Sequence, residues 1–134
     1  MSVKYYKMKY SNPATVVERF YFEGALKACG FACEDFSKVG IYWNNEMGKE
    51  CNGCFHFSKP DSIFLTSHFQ ENKERLVATL GHELMHREQY KTNKIGYIIA
   101  SAIPPVRKWI YEPEAESVEE AINDILKIEE GWRL

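Results

Sequence analysis

Apolar side chains recur every four residues in the middle of the chain, at Leu76, Leu80 and Leu84. This spacing aligns them on one face of an α-helix, with Val77 beside them. The pattern therefore predicts a long amphipathic helix over residues 72–91, and this is the clearest element of the sequence.

A similar but looser pattern predicts a helix near the start of the chain, over residues 13–33. Asn12-Pro13 is a suitable helix start, and Gly30 is a suitable end. The positions between them that fit one apolar face are Val16, Val17, Phe20, Phe22, Ala25, Leu26 and Cys29.

The last helix is predicted from about residue 113 to residue 130. Pro113 suits a first helical turn, and Val118, Ile122 and Ile125 recur on one face. The apolar segment 97–103 ends at Pro104-Pro105 and is predicted as a short helix or a packed loop.

Three short apolar runs predict strands at residues 39–43, 55–57 and 62–66. Asn52-Gly53 is typical of a two-residue hairpin turn. With a helix before this small three-stranded mixed sheet and two helices after it, the sequence predicts an α+β fold.

Length and composition indicate one domain spanning residues 1–134. The chain is 45% hydrophobic and 27% charged, which is typical of a globular protein. Its formal net charge of −2 argues against a nucleic-acid partner. No apolar run is long enough to span a bilayer, and the first residues lack the apolar stretch of a signal peptide. We therefore expect a cytoplasmic protein with no nucleic-acid or membrane partner.

The central helix carries the sequence His82-Glu83-Leu84-Met85-His86. Because His82 and His86 are four residues apart, they lie one turn apart on the same side of the helix. Two imidazoles in this arrangement can bind one Zn²⁺ ion. Glu83 lies next to that side, where its carboxylate can act as a general base on a metal-activated water.

A zinc ion bound by two histidines needs a third protein ligand, and two downstream glutamates are candidates. Glu112 and Glu116 are also four residues apart. One of them can bind the metal while the other accepts a hydrogen bond from a ligand imidazole. Because Pro113 disfavours helical geometry at the residue before it, the choice between Glu112 and Glu116 stays open at this point.

Together, His82-Glu83-x-x-His86 and Glu112-x-x-Ala115-Glu116 resemble the two motifs of the gluzincin zinc metallopeptidases. The resemblance covers roughly residues 60–125 and is closest to minimal zincin-like domains of bacteria and their phages. It implies that His82, His86 and Glu112 bind zinc, that Glu83 is the general base, and that Glu116 occupies the position of the outer carboxylate. It also implies an edge strand that binds a peptide substrate, for which residues 63–66 are the candidate.

The function implied is metal-assisted hydrolysis of peptide bonds in a peptide or protein substrate. The alternative is a catalytically silent zinc-binding module on the same fold, which recognises a protein without cutting it. The reaction would also need a hydrogen-bond donor for the developing oxyanion. The candidates are Tyr97, Arg107, Tyr111 and His68, and the sequence does not rank them.

Four cysteines, at positions 29, 33, 51 and 54, form a second candidate metal site. The spacing Cys51-x-x-Cys54 is that of a zinc knuckle, and Cys29 and Cys33 share a helix face. Plain thiols and a redox role are the alternatives, because small buried cysteines are common in protein cores. The predicted cofactor is thus one catalytic zinc ion, and a second, structural zinc ion belongs to the alternative in which the cysteines bind metal.

Overall fold

The computed structural model describes residues 11–47 and 51–133 of the chain. The helices in these residues are α1 (Val16–Ala28), α2 (Val77–Thr92), α3 (Lys94–Ala102), α4 (Pro104–Ile110) and α5 (Glu112–Arg133). The strands are β1 (Ser11–Pro13), β2 (Gly40–Asn44), β3 (Gly53–Phe55) and β4 (Ser62–Thr66). Two 3₁₀ segments, Phe36–Lys38 and Ser67–Leu76, precede β2 and α2. The α+β class predicted from the sequence is confirmed.

The strands form one mixed sheet in the order β1-β2-β4-β3. β2 and β4 are parallel, while β1 pairs antiparallel with β2, and β3 antiparallel with β4. The described residues thus contain four strands, so the prediction of three is wrong. The additional strand, β1, includes Pro13, which lacks a backbone N–H and is tolerated at the edge of a sheet.

The sheet also corrects two predictions about individual strands. Gly53 is the first residue of β3 and pairs with Leu65, so it is not the turn of a hairpin. β4 lies between β2 and β3. The prediction that residues 63–66 form a peptide-binding edge strand is therefore wrong, because both sides of β4 are already paired. Within the described residues, β3 lies beside β4 at the end of the sheet, so one side of β3 is not paired with another strand.

The main core lies between one face of the sheet and the helices α1, α2 and α5. Ile41, Ile63 and Leu65 of the sheet pack there with Leu80 and Leu84 of α2. The opposite side of the sheet carries a smaller cluster that includes Phe64, Cys54 and Met47. This separation follows from the alternation of side chains along a strand.

Helix α1 differs from its predicted form at both its start and its apolar face. Thr15 caps it by accepting a hydrogen bond from the Glu18 backbone N–H, while the Glu18 carboxylate accepts one from the Thr15 backbone N–H. Only part of the predicted apolar face is buried. Phe22 and Leu26 enter the core, whereas Phe20 is 79% exposed. Val16 and Val17 are exposed to a similar degree.

Helix α3 covers most of residues 97–103, for which a short helix or a packed loop was predicted, and α4 follows it. Asn93 caps α3 by accepting a hydrogen bond from the Gly96 backbone N–H, and Pro104 lies in the first turn of α4. Proline is favoured there because its missing N–H costs no helical hydrogen bond. Within the described residues, none of the helices combines the length and apolar character that a membrane span requires.

Candidate metal centre

His82 and His86 lie on the side of α2 that faces α5. Close packing of the two helices depends on Gly81, since a Cβ atom at this position would lie 2.5 Å from Ile122 Cδ1. Without that Cβ, α5 approaches closely enough to bring its first residue, Glu112, to the two histidines. This contact joins two parts of the chain that are distant in sequence.

Three ligand atoms converge at the contact between α2 and the start of α5. His86 Nε2 lies 2.6 Å from Glu112 Oε1, and His82 Nε2 lies 3.9 Å from Glu112 Oε2. One ligand atom from each of these residues falls within 4.8 Å of the others. Two imidazoles and a carboxylate are a donor set that suits zinc, so the residues present fit the predicted ion.

The carboxylate of this group is held in its charged form. The His86 imidazole, at 2.6 Å, is the main cause that lowers the pKa of Glu112 to about 2, while burial opposes the shift. The Arg107 guanidinium adds a smaller effect, with its Nε 3.7 Å from Glu112 Oε1. Glu112 is therefore an anion at neutral pH, which is the form that binds a metal.

Both histidines also have a polar neighbour on their Nδ1 side. His86 Nδ1 is 2.8 Å from Gln89 Oε1, and His82 Nδ1 is 2.7 Å from Glu119 Oε1. The contacts at His86 Nε2 and at His82 Nδ1 are short but not aligned as hydrogen bonds. The first of these is the nitrogen that faces the Glu112 carboxylate.

Glu116 does not belong to this group. It is exposed, and the outer carboxylate beside His82 comes from Glu119 instead. The sequence contained a signal for this outcome, because Glu119 lies seven residues, or two helical turns, after Glu112 and returns to the same side of α5. Gln89, three residues after His86, is the other site residue that the sequence analysis missed.

Glu83, the predicted general base, is 8% exposed and lies beside strand β3. A Cβ atom at Gly53 would lie 2.7 Å from Thr79 Cγ2 and 3.1 Å from Glu83 Cγ. The absence of a side chain at Gly53 thus lets the edge strand run directly alongside Glu83. An amino acid with any side chain at position 53 would displace one of these two neighbours.

Three of the four predicted oxyanion donors lie near this group. The Tyr97 ring packs 6.1 Å from the His86 ring and 5.1 Å from the Tyr111 ring. Burial raises the pKa of Tyr97 to about 12, so its hydroxyl stays protonated, and it has no hydrogen-bond partner in the described structure. Arg107 contacts Glu112, as described above. His68 lies elsewhere, on the wall of a separate polar cavity.

The four cysteines are not brought together. Cys29 and Cys33 pack against the main core, whereas Cys51 and Cys54 lie with the cluster on the other side of the sheet. In the described ranges, no potential metal-binding group contains more than one cysteine. The structure therefore does not assemble the predicted structural zinc site.

The chain was compared with protein-family models, with curated proteins and with solved structures, and none of them matches it. The resemblance to gluzincins thus depends on the two short motifs alone.

Proposed function

We propose that this protein is a zinc-dependent metallopeptidase. The observation that carries the proposal is the convergence of His82, His86 and Glu112, with Glu83 beside them on α2. His82 and His86 would bind zinc through their Nε2 atoms, and Glu112 would bind it through its carboxylate. When bound, zinc supplies a Lewis acid that makes water a stronger nucleophile and polarises a carbonyl group.

Glu83 performs the proton transfers in this proposal. Its carboxylate accepts the proton of the attacking water and later delivers it to the amine that leaves the cleaved peptide. Its burial strengthens the electrostatic interactions of the carboxylate with the reacting groups. Gly53 keeps the neighbouring strand close and so restricts the space in which the Glu83 side chain can move.

The open side of β3 is the proposed binding surface for the substrate. Thr66 N donates a hydrogen bond to Asn52 O at 2.9 Å, so residues 52 and 66 are a hydrogen-bonded pair. Such pairs alternate along antiparallel strands, which directs the backbone N–H and C=O of Gly53 away from β4. An extended peptide can pair with these groups as an additional strand next to Glu83.

The first experiment compares the wild-type protein with Glu83→Gln. We expect both proteins to bind one zinc ion, and we expect hydrolysis of a fluorogenic denatured protein to fall about 10²- to 10⁴-fold in the variant, because the general base is lost. Glu88→Gln is the matched control, since it removes a carboxylate from the same helix away from this group. A chelator should abolish the wild-type activity.

Two outcomes would contradict the proposal. Equal hydrolysis by the wild type and by Glu83→Gln would exclude Glu83 as the base. If all three proteins bind zinc and none of them hydrolyses the substrate, the result would instead support the zinc-binding module that recognises a protein without cutting it.

A further inference from the structure

Gln89 is a buried polar residue that the zinc chemistry does not itself require. It lies on α2, three residues after His86, and only 6% of its surface is exposed. Burial of an amide is costly unless its polar atoms are hydrogen-bonded. At Gln89 both ends of the amide are bonded, and their partners reveal its role.

The NH₂ end of this amide donates two hydrogen bonds to the beginning of α5. Gln89 Nε2 lies 2.8 Å from the Tyr111 carbonyl oxygen and 3.0 Å from Glu114 Oε1. Both partners are acceptors, so this end must be the nitrogen. The opposite orientation would place the amide oxygen against a carbonyl and a carboxylate, which repel it.

This orientation fixes the protonation of the neighbouring imidazole. The other end of the amide is an oxygen, which only accepts hydrogen bonds, and it lies 2.8 Å from His86 Nδ1. His86 Nδ1 must therefore carry the proton. Because Nδ1 is used in this contact, Nε2 is the ring nitrogen left to bind a metal, and it lies 2.6 Å from Glu112 Oε1.

The same amide also connects the two metal-binding elements. Tyr111 immediately precedes Glu112, and Glu114 follows it by two residues. The Gln89 hydrogen bonds thus hold the chain on both sides of Glu112 at a fixed position relative to His86. Gln89 therefore orients the His86 imidazole and also fixes the position of Glu112.

We propose that Gln89 is a positioning residue, which holds a proton on His86 Nδ1, so that Nε2 is the nitrogen presented to a metal, and which holds Glu112 beside it. This inference rests on the proposed function for its purpose, but the tautomer is a property of the metal-free protein and can be measured without zinc. The motif resemblance does not include position 89.

The test uses Gln89→Leu, Gln89→Glu and a matched control, Gln70→Leu. Gln70 also donates a side-chain hydrogen bond, to Glu18 Oε2 at 3.0 Å, but it lies outside this centre. The tautomer of His86 is read from the ¹⁵N resonances of its ring in metal-free protein. Zinc affinity is measured by competition with a chelator of known affinity, at one pH near neutrality.

For Gln89→Leu we expect loss of the Nδ1–H signature of His86 and about 10- to 100-fold weaker zinc binding. Gln89→Glu keeps an acceptor beside His86 Nδ1 but places a carboxylate against Glu114 and the Tyr111 carbonyl. It should therefore retain the tautomer and still bind zinc more weakly. The control should match the wild type in both measurements.

An unchanged His86 tautomer in Gln89→Leu, with zinc affinity within twofold of the wild type, would overturn the inference. If Gln89→Leu does not fold, Gln89→Glu decides, and a wild-type zinc affinity in that variant would overturn the placement of Glu112. A wild-type protein that binds zinc without hydrolysis would refute the peptidase proposal and leave this inference intact. A wild type that binds no zinc would refute both, whatever the tautomer.

Discussion

Helix α2 contributes to two groups of closely spaced ionisable side chains. The first is the candidate metal centre, His82, His86 and Glu112, and the second consists of Cys33, Asp35 and Glu88. In both groups three potential ligand atoms lie within 4.8 Å of one another. Proximity of donor atoms therefore does not distinguish them.

The second group is already bound by the protein's own cations. Arg87 Nη1 and Nη2 donate to the two oxygens of Asp35 at 3.0 and 2.8 Å, and Lys91 Nζ lies 2.9 Å from Oδ2. Burial is the main cause that raises the pKa of the Cys33 thiol to about 11. A protonated thiol and a doubly paired carboxylate are poor metal ligands.

In the candidate metal centre, the Glu112 carboxylate is not hydrogen-bonded by an arginine or a lysine as Asp35 is. The Arg107 guanidinium is 3.7 Å from Glu112 Oε1, beyond hydrogen-bond distance, and His86 Nε2 has no aligned donor or acceptor. The comparison indicates that a metal site requires donors whose lone pairs are not already used. Four predictions test this difference, beginning with the largest expected effect.

The largest effect is expected on metal content. His86→Ala should lose one equivalent of zinc, because it removes a proposed ligand, whereas Cys33→Ala should retain the wild-type amount. Elemental analysis of protein purified without chelator measures both, with circular dichroism as the control for folding. Loss of zinc from Cys33→Ala would reverse the assignment of the two groups.

The second prediction concerns the stability that Arg87 provides. Its side chain is buried and also donates to the Pro60 carbonyl oxygen, so Arg87→Leu leaves several acceptors without a partner. We expect the free energy of unfolding to fall by about 3 kcal/mol, near the lower end for a broken buried ion pair, because Lys91 still contacts Asp35. Urea denaturation of the metal-free protein measures this change.

Lys91→Met is the control for that measurement. Lys91 is 41% exposed, so its loss should cost less than about 1 kcal/mol. Equal losses in the two variants would show that the burial of Arg87 contributes nothing.

The third prediction is a pH dependence of stability at Asp35. Hydrogen bonds from Arg87, and then from Lys91, lower the pKa of Asp35 below its ordinary value. A carboxylate with a lowered pKa in the folded state stabilises the protein above its unfolded pKa of about 3.9, and the contribution disappears as the pH falls further. The wild type should exceed Asp35→Asn in stability by about 2 kcal/mol at pH 7.

This difference should stay constant down to about pH 5 and then shrink. Urea denaturation of both proteins between pH 7 and pH 3 measures it. A difference that grows on acidification would contradict the assigned direction of the pKa shift.

The smallest expected effect separates Glu119 from Glu116. Glu119→Gln should weaken zinc binding about tenfold, because a carboxylate next to a ligand imidazole increases its basicity. Glu116→Gln, one helical turn away and exposed, should stay within twofold of the wild type. The opposite result would favour the spacing of the gluzincin motif over the arrangement in this structure.

The local parts of the fold were largely predictable from the sequence. The strand at residues 62–66 matches β4, and the predicted last helix lies within three residues of α5 at each end. The central helix begins later than predicted, because residues 67–76 form a 3₁₀ segment with non-helical backbone angles at Phe69 and Asn72. Periodicity identifies a helix more reliably than its first turn.

Several of the predictions that failed concern contacts between elements and not the elements themselves. The exposed Phe20 fits the apolar face of α1 by spacing, but no described element covers it. The edge strand was misassigned because strand order depends on which strands pair, and a strand in the middle of a sheet has the same local pattern as one at its edge.

Helical spacing in the amino-acid sequence is enough to place His82, Glu83 and His86 together, since three residues within one and a half turns need no tertiary contact to be neighbours. The packing of α5 against α2 is what adds Glu112 and Glu119 to those histidines and leaves Glu116 and the four cysteines outside the group. The physical reason is that helical periodicity fixes positions within an element, whereas the approach of α5 to α2 depends on packing at Gly81 and Ile122.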